Sequence, residues 1–211
     1  SPLRDVYKRQ VIHDEAQAPP HALGTCFAYL VENNILNDLV SLCLPDEPLG
    51  ILDEFLRMCT TLVRHIHVPW FLANEGVAHA LLQLLRSCNK KQQKPPGLVE
   101  LVYALCARIH QQPDTLRVLV QLGAQLPKER PADRFPLMTC IVRHITMDGP
   151  SGRHMRTSLV WVMHALLTLG TNHRAAWPAL YFDQATCSDL AQSLNEAVAC
   201  LLYTSLSGLA R

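Results

Sequence analysis

Apolar residues recur every three or four positions along almost the whole chain, and that period belongs to helices. Between 50 and 67, Ile51, Leu52, Phe55, Leu56, Cys59, Leu62, Val63 and Ile66 make one stripe, with Asp53, Glu54, Arg57 and Arg64 between them. This predicts an amphipathic helix with a single buried face, and Phe55 in the core. Pro48 suits the first turn, where its missing N–H breaks no bond. Pro69 closes the run, because the residue before a proline avoids the α region. The same reading places helices over 26–32 and 35–44, split at Asn33 and Asn34. It continues over 77–88, 96–112, 114–122 (ended by Gly123), 134–147, 151–169, 173–182 and 186–199. No stretch alternates as a strand would; Val118, Leu119 and Val120 lie inside a helical pattern.

About ten helices with short turns leave two architectures, a closed bundle or a stack of helix pairs. Paired units of ~40 residues favour an all-α, irregular α-solenoid, an armadillo/HEAT-like stack without a strict repeat. Segments 89–96 and 127–133, rich in Lys, Gln or Pro, read as surface loops too short to link domains. A 49% hydrophobic and 18% charged composition supplies a core and excludes a disordered chain. No apolar run approaches the ~20 residues that span a bilayer.

The two ends read differently. Asp5-Val6-Tyr7-Lys8-Arg9-Gln10 is spelled by GAT GTG TAT AAG AGA CAG. The reverse complement, shifted in frame, spells Cys200-Leu201-Leu202-Tyr203-Thr204-Ser205. That DNA resembles a transposase mosaic end used in sequencing libraries. Residues 1–10 and 200–211 are therefore expected to be translated adapter, leaving 11–199 as an α-solenoid segment of a longer protein. Without Arg4, Lys8, Arg9, Arg211 and Asp5, the formal charge moves from +1 to near −2, with 15 basic and 17 acidic residues. No broad basic field remains to neutralise phosphates, which argues against nucleic acid as partner. Seven cysteines stay: Cys26, Cys43, Cys59, Cys88, Cys106, Cys140 and Cys187. None forms a C-x-x-C pair, and most sit in apolar helical runs, as small buried hydrophobes of a reducing compartment, cytosolic or nuclear, do.

Candidate chemistry is sparse. His65 and His67, two apart on a helix, point to different faces and do not share one metal ion. His79 and His110 stand singly at helical positions. Cys140 and His144, four apart, share a face and could pair as nucleophile and base or as two ligands, yet Leu137, Ile141 and Ile145 make that face core. Thr186, Cys187, Ser188 and Asp189 read as a helix start, with Thr186 or Ser188 as cap. The Asp148-Gly149-Pro150-Ser151-Gly152 stretch reads as a turn between helices, not a phosphate loop. Lys90, Lys91 and Lys94 form a small basic spot without interleaved aromatics. Trp70, Trp161 and Trp177 are spread out, as residues filling gaps between helices are. No catalytic, cofactor-binding or metal residue is assigned, and a helical stack of this kind most often presents a surface to other proteins.

The order of motifs resembles one family. Gly24-Thr25-Cys26-Phe27-Ala28-Tyr29-Leu30-Val31-Glu32-Asn33-Asn34-Ile35-Leu36 is similar to the G-x-C-x-x-Y-L-x-x-x-x-I-L start of the FHIP family, the HOOK-interacting subunits of the FTS–HOOK–FHIP complex, also called retinoic-acid-induced-like proteins. Pro48-Leu49-Gly50, Phe55, Leu62, the Leu81 to Cys88 run, Leu101-Val102-Tyr103-Ala104-Leu105-Cys106 and Gln112-Pro113 follow in the family's order. So do Phe135-Pro136-Leu137, Asp148-Gly149 with Gly152, and Asp189-Leu190. Glu75-Gly76-Val77-Ala78-His79 lacks the proline that the pattern carries there, and the acidic insert between the halves is short. The resemblance implies a non-enzymatic adaptor that links HOOK, and through it dynein–dynactin, to endosomal cargo in microtubule-based transport. It implies HOOK and FTS as protein partners, a Rab GTPase on early endosomes as another, no cofactor, and peripheral endosome association through partners. Two alternatives stay open: an unrelated armadillo-like scaffold, and a Cys/His-dependent enzyme or metalloprotein using Cys140, His144 or the His65/His67 region. A nucleic-acid-binding solenoid stands third.

Overall fold

The computed structural model describes residue 13, residues 25–66, 71–91, 95–125 and 135–172, and residue 195. Eight α-helices make up those residues: α1 (Thr25–Glu32), α2 (Ile35–Cys43), α3 (Ile51–His65), α4 (Glu75–Lys90), α5 (Gly97–Gln111), α6 (Asp114–Gln125), α7 (Pro136–His144) and α8 (Gly149–Asn172). No strand occurs among the described residues. The sequence suggests about ten helices, so eight is the corrected count here. The other two, over 173–182 and 186–199, fall outside the described residues apart from Asn195, as do both adapter-like ends and the 127–133 loop.

Local chemistry sets where each helix starts. Asn34 breaks α1 from α2 by taking the left-handed conformation, φ 54°, which a short polar side chain tolerates. Before α3, the Asp46 carboxylate accepts from the backbone N–H groups of Gly50 and Leu52, both at 3.0 Å. Gly50 sits at φ 92°, and α3 begins one residue later, so Pro48 precedes the first turn rather than occupying it. Asn74 caps α4, its Oδ1 accepting from Val77 N–H at 3.1 Å. The start of α5 is capped from another helix: Gly97 N–H donates to Asp53 Oδ1 of α3 at 2.6 Å. The α5 and α6 starts fall at Pro96 and Pro113 as the sequence suggests. Gly123, by contrast, lies inside α6, which continues to Gln125.

The helices pack chiefly on neighbours two apart in sequence. α2 lies on α4, α4 on α6 and also on α7, while α3 lies on α5 and α5 on α8. This makes two rows, α2–α4–α6/α7 and α3–α5–α8, joined through their apolar faces and by α7 against α8. The α3 stripe is buried as its spacing requires, with Leu52, Phe55, Leu56, Cys59, Leu62, Val63 and Ile66 all in the core. Phe27 of α1 meets Phe71, before α4, with ring centroids 5.0 Å apart. Leu84 of α4 and Leu101 and Leu105 of α5 are fully enclosed.

One polar segment is misread by composition alone. Asn89 sits in the last turn of α4 and is buried, not in a surface loop. Its Nδ2 donates to the Pro136 carbonyl at 2.8 Å, and Arg143 donates to its backbone carbonyl. A helix end is thereby tied to the start of α7, 47 residues on.

Candidate interaction surface

Two of the residue groups singled out by chemistry sit in different surroundings. Cys140 and His144 are both buried, with the thiol fully enclosed. His144 Nδ1 lies 2.7 Å from the Cys140 carbonyl oxygen and 3.8 Å from its Sγ. A carbonyl only accepts, so that nitrogen carries the proton and donates back to its own helix. The pair is thus a satisfied core histidine beside a core thiol. His65 is exposed at the end of α3, where Nδ1 donates to the Thr61 carbonyl at 2.8 Å; His67 lies outside the described residues. No group of three or more His, Cys, Asp or Glu side chains that could hold a metal occurs among the described residues.

The other thiols point the same way. Cys43, Cys59, Cys88, Cys106 and Cys140 are buried thiols outside any disulfide. Burial pushes the Cys59 thiol up to about 12. It does the same to Cys106, against a smaller opposing pull from the Ser158 hydroxyl. A thiol so protonated is neither a nucleophile nor a ready ligand at neutral pH. Cys187 lies outside the described residues.

Asp148 to Gly152 is no phosphate cradle. Gly149, at φ 71°, opens α8, and Gly152 sits where a Cβ would fall 1.6 Å from the Met147 carbonyl oxygen. Gly149 allows the left-handed backbone and Gly152 the close backbone crossing. Lys90 ends α4 and Lys91 follows it; Lys94 lies outside the described residues. Among the tryptophans, Trp70 and Trp177 also lie outside, while Trp161 is half-buried on α8.

Trp161 does fill a seam between helices, as expected of it, but not alone. On α5, Glu100, Tyr103 and His110 recur at three and seven; on α8, His154, Trp161 and His164 recur at seven and three. The α5–α8 packing brings the two sets together. The Tyr103 ring stacks on His154 with centroids 4.2 Å apart and meets Trp161 at 5.2 Å. His110 stacks on Trp161 at 5.6 Å and meets His164 edge-on at 5.4 Å. Glu100 anchors one end, pairing with Arg64 of α3 at 2.7 Å and lying 3.3 Å from His154 Nδ1. Beside it, Arg57, Thr60, Thr61 and Arg64 of α3 face Pro96, Gly97 and Glu100 across an open cleft of about 400 Å³. Arg57 bridges to Asp53 at 3.0 Å within its own helix.

The α3–α5–α8 row therefore carries a band of half-exposed rings and paired charges. Such amphipathic rings and arginines are enriched where proteins meet. Reading the chain singly missed this seam, because His154 and His164 look unremarkable until α8 is laid on α5. The repeated spacing of seven was the available signal.

No helix among the described residues is long and apolar enough to cross a membrane. A sequence model of the family described as retinoic acid induced 16-like protein matches residues 26–208. That stretch runs nine residues past Ala199, into the segment read above as adapter. No curated protein and no solved structure matches the chain.

Proposed function

The chain belongs to the retinoic acid induced 16-like family, and from that membership we propose that it is a non-enzymatic protein–protein adaptor of the FHIP kind. In this reading it joins HOOK and FTS, and through HOOK dynein–dynactin, to endosomal cargo in microtubule-based transport. A Rab GTPase is a further partner, and the protein reaches endosomes from the cytoplasm through these contacts. The observation that carries the reading is the family match over residues 26–208. Two structural features support it.

The first is the packing of α2 on α4, α3 on α5 and α4 on α6, a two-along pattern that stacked helix pairs also make. A solenoid offers a long, semi-rigid side on which a coiled coil can lie. The second is the α3–α5–α8 band, where Arg64, Glu100, Tyr103 and His110 are at least partly exposed. We assign the coiled-coil contact to that band.

Co-precipitation tests the reading. The bait is this chain, alone and extended at both ends in its genomic reading frame, with bound proteins identified by mass spectrometry. Recovery of HOOK and FTS supports the adaptor. A folded, extended bait that recovers neither removes the transport role and favours an unrelated armadillo-like scaffold.

A further inference from the structure

The large apolar side chains left bare fall into two groups. Tyr29, Leu42 and Leu49 lie in α1, α2 and the turn before α3; Met147, Val160 and Leu167 lie in the turn before α8 and in α8 itself. Helices α3 to α7 contribute none among the described residues. The two groups sit at opposite ends of the helical rows. α1 packs on α2, and α2 on α3 and α4, while α8 packs on α5, α6 and α7. Outermost units of stacked helices stay apart when their outer faces are polar, and neither of these faces is wholly polar.

The two ends also differ in charge. From 11 to 56 the chain has no Lys or Arg, and the described part of that stretch holds Glu32, Asp38, Asp46, Glu47, Asp53 and Glu54. α8 has no Asp or Glu in its 24 residues and carries Arg153 and Arg156. On α2, Asp38 and Leu42 are exposed, with Ile35 and Leu39 half-buried beside them. At ~100° per residue these four positions span roughly 100°, apart from the buried Leu36, Val40 and Cys43. On α8, Arg153, Arg156, Val160 and Leu167 are all exposed and fall within roughly 60°. Trp161, which marks the seam with α5, stands about 100° round from Val160. Each face thus sets an apolar residue one turn after a charge: Asp38 then Leu42 on α2, Arg156 then Val160 on α8. Leu42 is 69% exposed and Val160 65%, so both apolar side chains can be reached.

We propose that the α2 face of one copy docks on the α8 face of a second copy, joining chains end to end. Leu42 and Val160 supply the apolar contact, and the charges decide which face meets which. Setting α8 on α8 would bring Arg153 and Arg156 against a second pair of arginines, and α2 on α2 would oppose Asp38 to Asp38; like charges so placed are costly. Only the mixed pairing sets acid against base. Two different patches make a heterologous contact, so each added copy leaves one face of each kind open, and association runs past the dimer unless a ring closes. The inference does not depend on the adaptor reading.

Sedimentation velocity on the whole chain tests it, from about 1 to about 200 µM, where small, transient interfaces form. The expected result is a weight-average mass that climbs with concentration beyond that of a dimer. Leu42→Glu and Val160→Glu, both at exposed positions, should keep the helical circular dichroism, and each should weaken association at least tenfold. Mixed in equal amounts, the two variants should form dimers and nothing longer, because the intact α8 face of one meets the intact α2 face of the other. Raising NaCl from about 50 to about 500 mM should weaken the parent's association, since exposed charges are screened. A parent chain that stays monomeric over the whole range overturns the proposal. So does loss of association in only one of the two variants, which would mean a like-with-like contact, or a mixture that stays monomeric. Association that strengthens with salt removes the charge match and overturns it too.

Discussion

Gly152→Ala sets two physical effects against each other. Gly152 is in the first turn of α8, and in an open helix alanine is better than glycine by about 1 kcal/mol. Space at this position opposes that gain. A Cβ would stand 1.6 Å from the Met147 carbonyl oxygen and 2.7 Å from its carbonyl carbon. Neither atom is the end of a flexible side chain, so the backbone of the α7–α8 turn or of α8 itself must move by roughly 1.5 Å to restore van der Waals contact. Overpacking typically costs about 1–3 kcal/mol, and a clash with rigid backbone belongs at or above the top of that range. The Arg156 guanidinium, which donates to the Ile145 carbonyl at 3.0 Å, sits in the same crossing and is disturbed with it. The net expectation is a loss of about 2 kcal/mol, or roughly 4–8 °C in Tm for a chain of this size. Thermal unfolding followed by circular dichroism at 222 nm measures it. A Tm that is unchanged or raised refutes the close crossing, because only helix propensity would then be acting.

Phe55→Ala should lower stability by about 3–5 kcal/mol, since the ring is 6% exposed among Leu36, Val40, Leu62, Phe71 and Leu84; an unchanged urea midpoint would mean that the α3 face is wrongly placed. Asn89→Ala should cost about 1–3 kcal/mol by leaving the buried Pro136 carbonyl without its donor, measured by the same unfolding. Cys59 and Cys106 hold their protons up to about 12 in the fold but lose them from about 9.0 once unfolded. The unfolded chain then binds fewer protons, so stability is fully present below pH 9 and falls as pH rises toward 12. Calorimetry should show Tm declining over that window, less steeply in Cys59→Ala/Cys106→Ala than in the parent. Residues 11–199 alone should keep the helical signal of the whole chain; a large loss would make 1–10 and 200–211 structural.

Local rules carried the sequence reading as far as local physics reaches. The α3 stripe, the break at Asn33 and Asn34, and the starts at Pro96 and Pro113 each follow from a few adjacent residues, and the structure has them. Gly123 and Asn89 misled because tertiary packing overrides propensity. Gly123 is buried within α6, and Asn89 gains a partner 47 residues away. The Asp53–Gly97 cap and the Tyr103–His154–Trp161–His110 seam join residues dozens of positions apart. No single-helix pattern encodes such pairs; they appear only when α3, α5 and α8 are laid side by side.

The adaptor account is tested most directly by binding between purified components. A HOOK–FTS complex is titrated with this chain and with Arg64→Glu/His110→Ala, both exposed positions on the α3–α5–α8 band. The account predicts a saturable complex with a Kd of about micromolar or tighter, weakened at least tenfold by the double substitution, a change of ~1.4 kcal/mol or more. A folded parent chain that does not bind HOOK–FTS contradicts the account.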